Sequence, residues 1–247
     1  METVDLHNSL VLFITELRRS ARWLLISLVV LTAVLFFFFS SALLSAFRHH
    51  LHEQLYFFTV AGPFLAHVKI AFFGALYLLM PLLMYVVWKA LGAPFGVRGQ
   101  KLFWFVAATC LLFYAGTLFC YLVTLPFGVA FLLGFQSEQM KAVISIGRFV
   151  NFVTIFILAF GIIFELPVFM VFTSQVGLIS RAAYERNRRY AILAIAILAA
   201  LLTPTPDAVN MALMGGPLYL LYEAGILIIR VARLDAGCRQ SSESPVQ

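Results

Sequence analysis

Charge is the scarcest commodity in this sequence. Only 11% of its 247 residues are charged, while 63% are hydrophobic. Soluble domains carry roughly 25% charged residues, so the composition leaves no room for a separate water-soluble domain. Cysteine is sparse too. Of the three, Cys110 and Cys120 share one apolar run and Cys238 lies near the end. No spacing fits a disulfide framework or a metal site. His49, His50 and His52 beside Glu53 match no zinc-ligand pattern and read as a polar loop. Nucleophile elbows, zinc-helix motifs and phosphate loops are missing, which argues against an enzyme and against a cofactor. No cleavable signal peptide is evident, because the apolar run after Arg18, Arg19 and Arg22 is too long for a cleaved segment.

What the chain does have is apolar sequence of bilayer length. Six runs are legible, at about 23–44, 70–88, 102–125, 149–176, 191–202 and 208–229. They describe a single all-α integral membrane domain, with residues 230–247 as a disordered polar tail. Pro126 is expected to end the third run. Ahead of the first, Leu6, Leu10, Phe13, Ile14 and Leu17 recur at helical spacing, which predicts an amphipathic helix on the membrane surface. The fifth run has only twelve residues. At 1.5 Å per residue it covers roughly 18 Å, against roughly 30 Å of hydrocarbon. Local thinning of the membrane or a re-entrant hairpin of the fifth and sixth runs would both accommodate it.

The net charge of +6 is no nucleic-acid signal, because the basic residues lie between the apolar runs. Six crossings put 13 of them on one side, Arg18, Arg19, Lys101 and the cluster Arg181–Arg189 included. The other side holds four, Arg48, Lys69, Lys141 and Arg148. The positive-inside rule then places both termini in the cytoplasm.

Within the fourth run stands its one acid, Glu165, in the stretch Phe160–Pro167. A carboxylate at bilayer depth costs several kcal/mol unless it is neutralised, paired or wetted, and such residues mark functional sites. Pro167 denies the helix a hydrogen bond and kinks it beside that acid. A structural alternative is a hydrogen bond from Glu165 to a neighbouring helix. Glu16, Arg18 and Arg19 sit where an interfacial helix would meet solvent. Asp207 follows Pro206 and could cap the last helix. This physics reaches a six-span protein with an intramembrane acid. It fits a proton-coupled secondary transporter using Glu165 as well as a translocation component, although no inverted repeats favour the former.

The order of short motifs goes further. ELRR at Glu16–Arg19, GPF at Gly62–Phe64, FYAG at Phe113–Gly116 and LPFG at Leu125–Gly128 come first. FGIIFELPV at Phe160–Val168, RRYAI at Arg188–Ile192, TPTPD at Thr203–Asp207 and LYE at Leu221–Glu223 follow. In sequence and spacing the whole set resembles TatC, the multi-span subunit of the twin-arginine protein translocase. The resemblance implies a concave, glove-shaped bundle of six helices with short fifth and sixth spans. It also implies a receptor in a bacterial inner membrane that binds twin-arginine signal peptides of folded precursors. Its partners would be small single-span Tat subunits, in a hetero-oligomeric complex holding several copies of this chain and driven by the proton-motive force. By position Glu16, with Arg18, Arg19, Gln100 and Lys101, would receive the signal peptide; Glu165 and Pro167 would form the intramembrane partner site; Asp207 would stand in the last extracytoplasmic turn. Gln100 departs from the family, which carries an acid there, and Phe13, Phe47 and Leu91 depart at three further positions.

Overall fold

Proline decides where two of the long apolar runs break. The computed structural model describes residues 22–38, 55–56, 60–92, 97, 99–133, 144–202 and 208–232. Glu16, Arg18, Arg19 and Asp207 lie outside the described residues, as do the amphipathic helix, the histidine loop and the tail beyond residue 232. The described part of the first run is α1, Arg22–Phe38. The second run forms α2 (Gly62–Leu78) and α3 (Met80–Gly92), bent by 51° at Leu79. Pro81 sits just past the bend and cannot donate to Tyr77, so the helix yields there.

The third run is one continuous helix. It is built of α4 (Gln100–Phe119), a π-turn (Cys120–Thr124) and α5 (Leu125–Leu133). Pro126 therefore does not end it, contrary to the sequence expectation. The Leu125 N–H reaches back five residues to Cys120 O, and this wider turn makes room for the proline ring that follows. The fourth run is α6 (Ile146–Ile163) and α7 (Leu166–Gln175). A short α8 (Arg181–Arg186), α9 (Arg188–Leu202) and α10 (Ala208–Val231) complete the chain. Gln100–Val129, Ile146–Gln175 and Met214–Val231 are each long and apolar enough to cross a membrane, and α2 with α3 qualifies as one bent crossing. In the fifth run α9 has 15 residues, or about 22 Å, and in the sixth run the apolar part of α10 has 18. Apart from β1 (Leu55–Tyr56) and β2 (Ile144–Ser145), a parallel pair of two residues each, the described residues form helices and turns.

Two compact units divide the chain. The first takes residues 1–110 and 133–158. In it Leu35 of α1 packs on Ala71 and Ala75, small residues that let helices approach closely. Trp88 donates to Thr109 Oγ1 at 2.8 Å and stacks on Phe105. Both groups are buried, so α3 is tied to α4 by one satisfied polar pair inside an apolar layer. Lys69 Nζ lies 3.4 Å from Asn151 Oδ1. The second unit takes residues 111–132 and 159–247. Its core is Met170 of α7, Ile195 of α9, and Leu218, Tyr222, Ile226 and Ile229 of α10.

Candidate functional site

Glu165 occupies the turn between α6 and α7. The ladder shortens there: Phe164 N–H still donates to Phe160 O, but Glu165 N–H donates to Ile162 O, three residues back. Pro167, in the first turn of α7, is well placed because its missing N–H would be unused at a helix start. The carbonyl of Glu165 accepts from Phe169 N–H at 3.0 Å, so the chain resumes as helix at once. Both carboxyl oxygens of Glu165 are shielded from solvent. Its residue lines an open groove of about 320 Å³ with Ile162, Ile163, Leu166, Phe169, Ile195, Leu198 and Leu218. Glu165 is the one ionisable member of that lining. A carboxyl at the edge of an apolar groove can exchange hydrogen bonds with a polar group carried by an apolar helix, which lipid would leave unsatisfied.

The far end of α7 is latched. Gly177 adopts φ 77°, a left-handed conformation suited to glycine, and stops the helix. Ser180 then caps α8 by accepting from Ala183 N–H. Tyr184 on α8 meets Thr173 Oγ1 at 2.6 Å, and Tyr222 donates to Tyr184 O at 2.9 Å. Burial pushes the Tyr184 phenol above its ordinary pKa, while the Thr173 hydrogen bond opposes the rise. Arg188, the first residue of α9, meets Glu223 of α10 at 2.9 Å, and Tyr219 donates to the other Glu223 oxygen. Sequence reasoning named Glu223 without a partner; a basic residue flanking a short apolar run was the available hint.

Gln100 and Lys101 open α4 and both are exposed. Two glycines shape the approach to them. At Gly92 a Cβ would come within 2.9 Å of Val97 O, and Val97 N–H donates to Gly92 O. Gly99 has φ 63°, and its carbonyl accepts from Phe103 N–H. The structure thus sets Gln100 beside Lys101 on one helix start and Glu165 beside Pro167 in one turn.

Comparison with known proteins now decides the lineage. The model of the family described as Sec-independent protein translocase protein (TatC) matches residues 13–217. The chain belongs to the TatC family. A TatC of Deinococcus radiodurans is 34% identical over 196 residues, covering 78% of this chain and 72% of the relative. A TatC of Carboxydothermus hydrogenoformans is 33% identical over 181 residues, covering 73% and 74%. A crystal structure described as the twin arginine translocase receptor TatC superposes with a TM-score of 0.76 at 25% identity, covering 90% of this chain and 99% of that one. The chain is therefore an all-α, multi-pass membrane protein of the TatC fold and a component of a protein translocase. TatC is a translocase family and not an enzyme family, and nothing in these matches supports a small-solute transporter.

Proposed function

We propose that this chain is the receptor and core subunit of a twin-arginine translocase, acting by binding and assembly with no chemical step of its own. The supporting observation is the family match over residues 13–217, a span that contains Glu16, Gln100, Glu165 and Asp207. On this reading the arginines of a signal peptide dock at Glu16, flanked by Arg18, Arg19, Gln100 and Lys101. A carboxylate accepts the guanidinium fork through two hydrogen bonds, whereas Gln100 offers an acceptor without charge. Glu165 and Pro167 serve the small single-span partners from within the membrane, and Asp207 orders the last extracytoplasmic turn. The chain forms one membrane domain of six spans in a bacterial inner membrane, with both termini in the cytoplasm. It works as several copies in a hetero-oligomer powered by the proton-motive force. Photo-crosslinkers at positions 16 and 100 test the receptor role. A twin-arginine peptide should crosslink to both positions, and a peptide with both arginines replaced by lysine should crosslink less. Equal yields from the two peptides would dismiss arginine recognition at this face.

A further inference from the structure

Two glycines and two phenylalanines near Glu165 interlock. On α4, Phe113 and Gly116 lie three residues apart; around the end of α6, Gly161 and Phe164 do the same. Such spacing puts both members of each pair on one face of a helix. A Cβ on Gly161 would come within 2.5 Å of the Phe113 ring and 2.9 Å of Thr117 Cγ2. A Cβ on Gly116 would come within 2.5 Å of Phe164 Cγ and 2.7 Å of Phe164 Cβ. Each phenylalanine is thus seated on the bare backbone of the opposite glycine. Phe113, Gly116 and Gly161 are buried, and Phe119 packs beside Phe164 with ring centroids 5.7 Å apart. Just past the turn, α7 meets α10, where a Cβ on Gly225 would come within 2.8 Å of Met170 Sδ and 3.4 Å of Pro167 Cα.

We propose that Phe113–Gly161 and Phe164–Gly116 form a reciprocal lock that positions Glu165. Resting on the role of Glu165 given above, the lock adds its cause. At Glu165 the helical ladder is interrupted before α7 begins, so side-chain packing must fix the direction of the residue the turn carries. Phe164 is the immediate neighbour of Glu165, and seating its ring leaves the turn little rotational freedom. The two halves differ in a way that separates them. The Gly116 contact is with Phe164 Cβ, which cannot withdraw without moving backbone. The Gly161 contact is with Cε2 and Cδ2 of the Phe113 ring and with Thr117 Cγ2, and a shorter side chain at position 113 can withdraw from the first two.

The experiment uses the full chain in native membranes. A lipid-soluble carbodiimide reacts with carboxyl groups in apolar surroundings, and peptide mass spectrometry reads its adduct at Glu165. The native carboxyl is shielded and should label slowly. Gly161→Ala should label faster and lose export of a twin-arginine precursor; Gly161→Ala with Phe113→Leu should return both toward the native values. Gly116→Ala should show the larger change of the two glycine variants. If it fails to accumulate, the Gly161 series decides alone. Native labelling in Gly161→Ala, or no recovery on adding Phe113→Leu, would overturn the lock. Faster labelling with full export would keep the lock and remove Glu165 from the export step.

Discussion

Among the described residues, each unit of the chain carries a helix break beside a proline and a candidate polar group, and they are arranged differently. In the first unit the break at Leu79 is apolar, and Gln100 stands apart from it at an exposed helix start. In the second the break and the polar group coincide at Glu165. The first break bends its helix by 51°, whereas Ile146–Gln175 still qualifies as one crossing. Proline marks where a membrane helix can yield; its neighbours decide how far it does and what is displayed there. A carboxyl shielded at a break is kept from water. An exposed amide competes with water, so its contacts are worth much less.

Replacing Glu165 should therefore have the largest effect. Glu165→Ala should insert normally, since alanine is well tolerated in a helix. Removing one partner of a buried hydrogen bond costs about 1–3 kcal/mol, so crosslinking to a single-span partner should fall roughly five- to hundredfold. Glu165→Gln should be milder, because the amide keeps a donor and an acceptor. Equal loss in Gln and Ala with partner crosslinking intact in both would shift the role from assembly to proton coupling. Leu79→Ala, the matched change at the apolar break, should leave partner crosslinking unaltered.

The bend itself can be tested next. Pro81→Ala restores an N–H that can donate to Tyr77, and should straighten the second span. Spin labels at Phe64 and Lys89, both exposed, flank the bend. With 1.5 Å of rise per residue, straightening from 51° should lengthen their separation by about 3 Å. Pro167→Ala should move a label pair across the fourth span less, because the Phe164–Gly116 seat remains. A larger movement there would show that proline, and not packing, sets that turn.

These two breaks also show what the sequence could and could not tell. Glu165 and Pro167 stood out because an acid and a proline in an apolar run violate simple rules. Pro81 obeys the same proline rule but carries no charge beside it, so nothing in the apolar run 70–88 singles it out. Pro126 reads as a stop in the sequence, because a π-turn leaves no composition signal. The seats of Phe113 on Gly161 and Phe164 on Gly116 were invisible for a different reason. Each motif alone is ordinary apolar sequence, and only the packing of two runs gives the glycines their purpose. Trp88 with Thr109, and Arg188 with Glu223, were likewise separate residues until the helices met.

A smaller effect is expected at the latch below Glu165. The Arg188 and Glu223 side chains are 46% and 30% exposed, so their pairing is partly screened. A double-mutant cycle on thermal unfolding, with Arg188→Ala and Glu223→Ala, should give a coupling of at most about 1 kcal/mol. A coupling several times larger would mean that the pair is held dry in the assembled protein.

An effect of the same small size is expected at Gln100. Resemblance to the family places an acid at this position, so Gln100→Glu should tighten binding of a twin-arginine peptide. Exposure limits the gain. An ion pair between exposed groups contributes at most about 1 kcal/mol, or roughly a fivefold change in Kd. Part of that gain has a local source. Gln100 is the first residue of α4, whose amino-terminal end carries partial positive charge. A carboxylate there would offset a field that now opposes an approaching guanidinium. Exposure also makes the gain sensitive to salt, because the screening length falls to about 3 Å at 1 M. Gln100→Lys adds to the field and should weaken binding by a similar factor. Titration of the peptide against the three proteins at low and high salt reads all of this. If neither substitution changes affinity at low salt, the arginines dock away from this helix start.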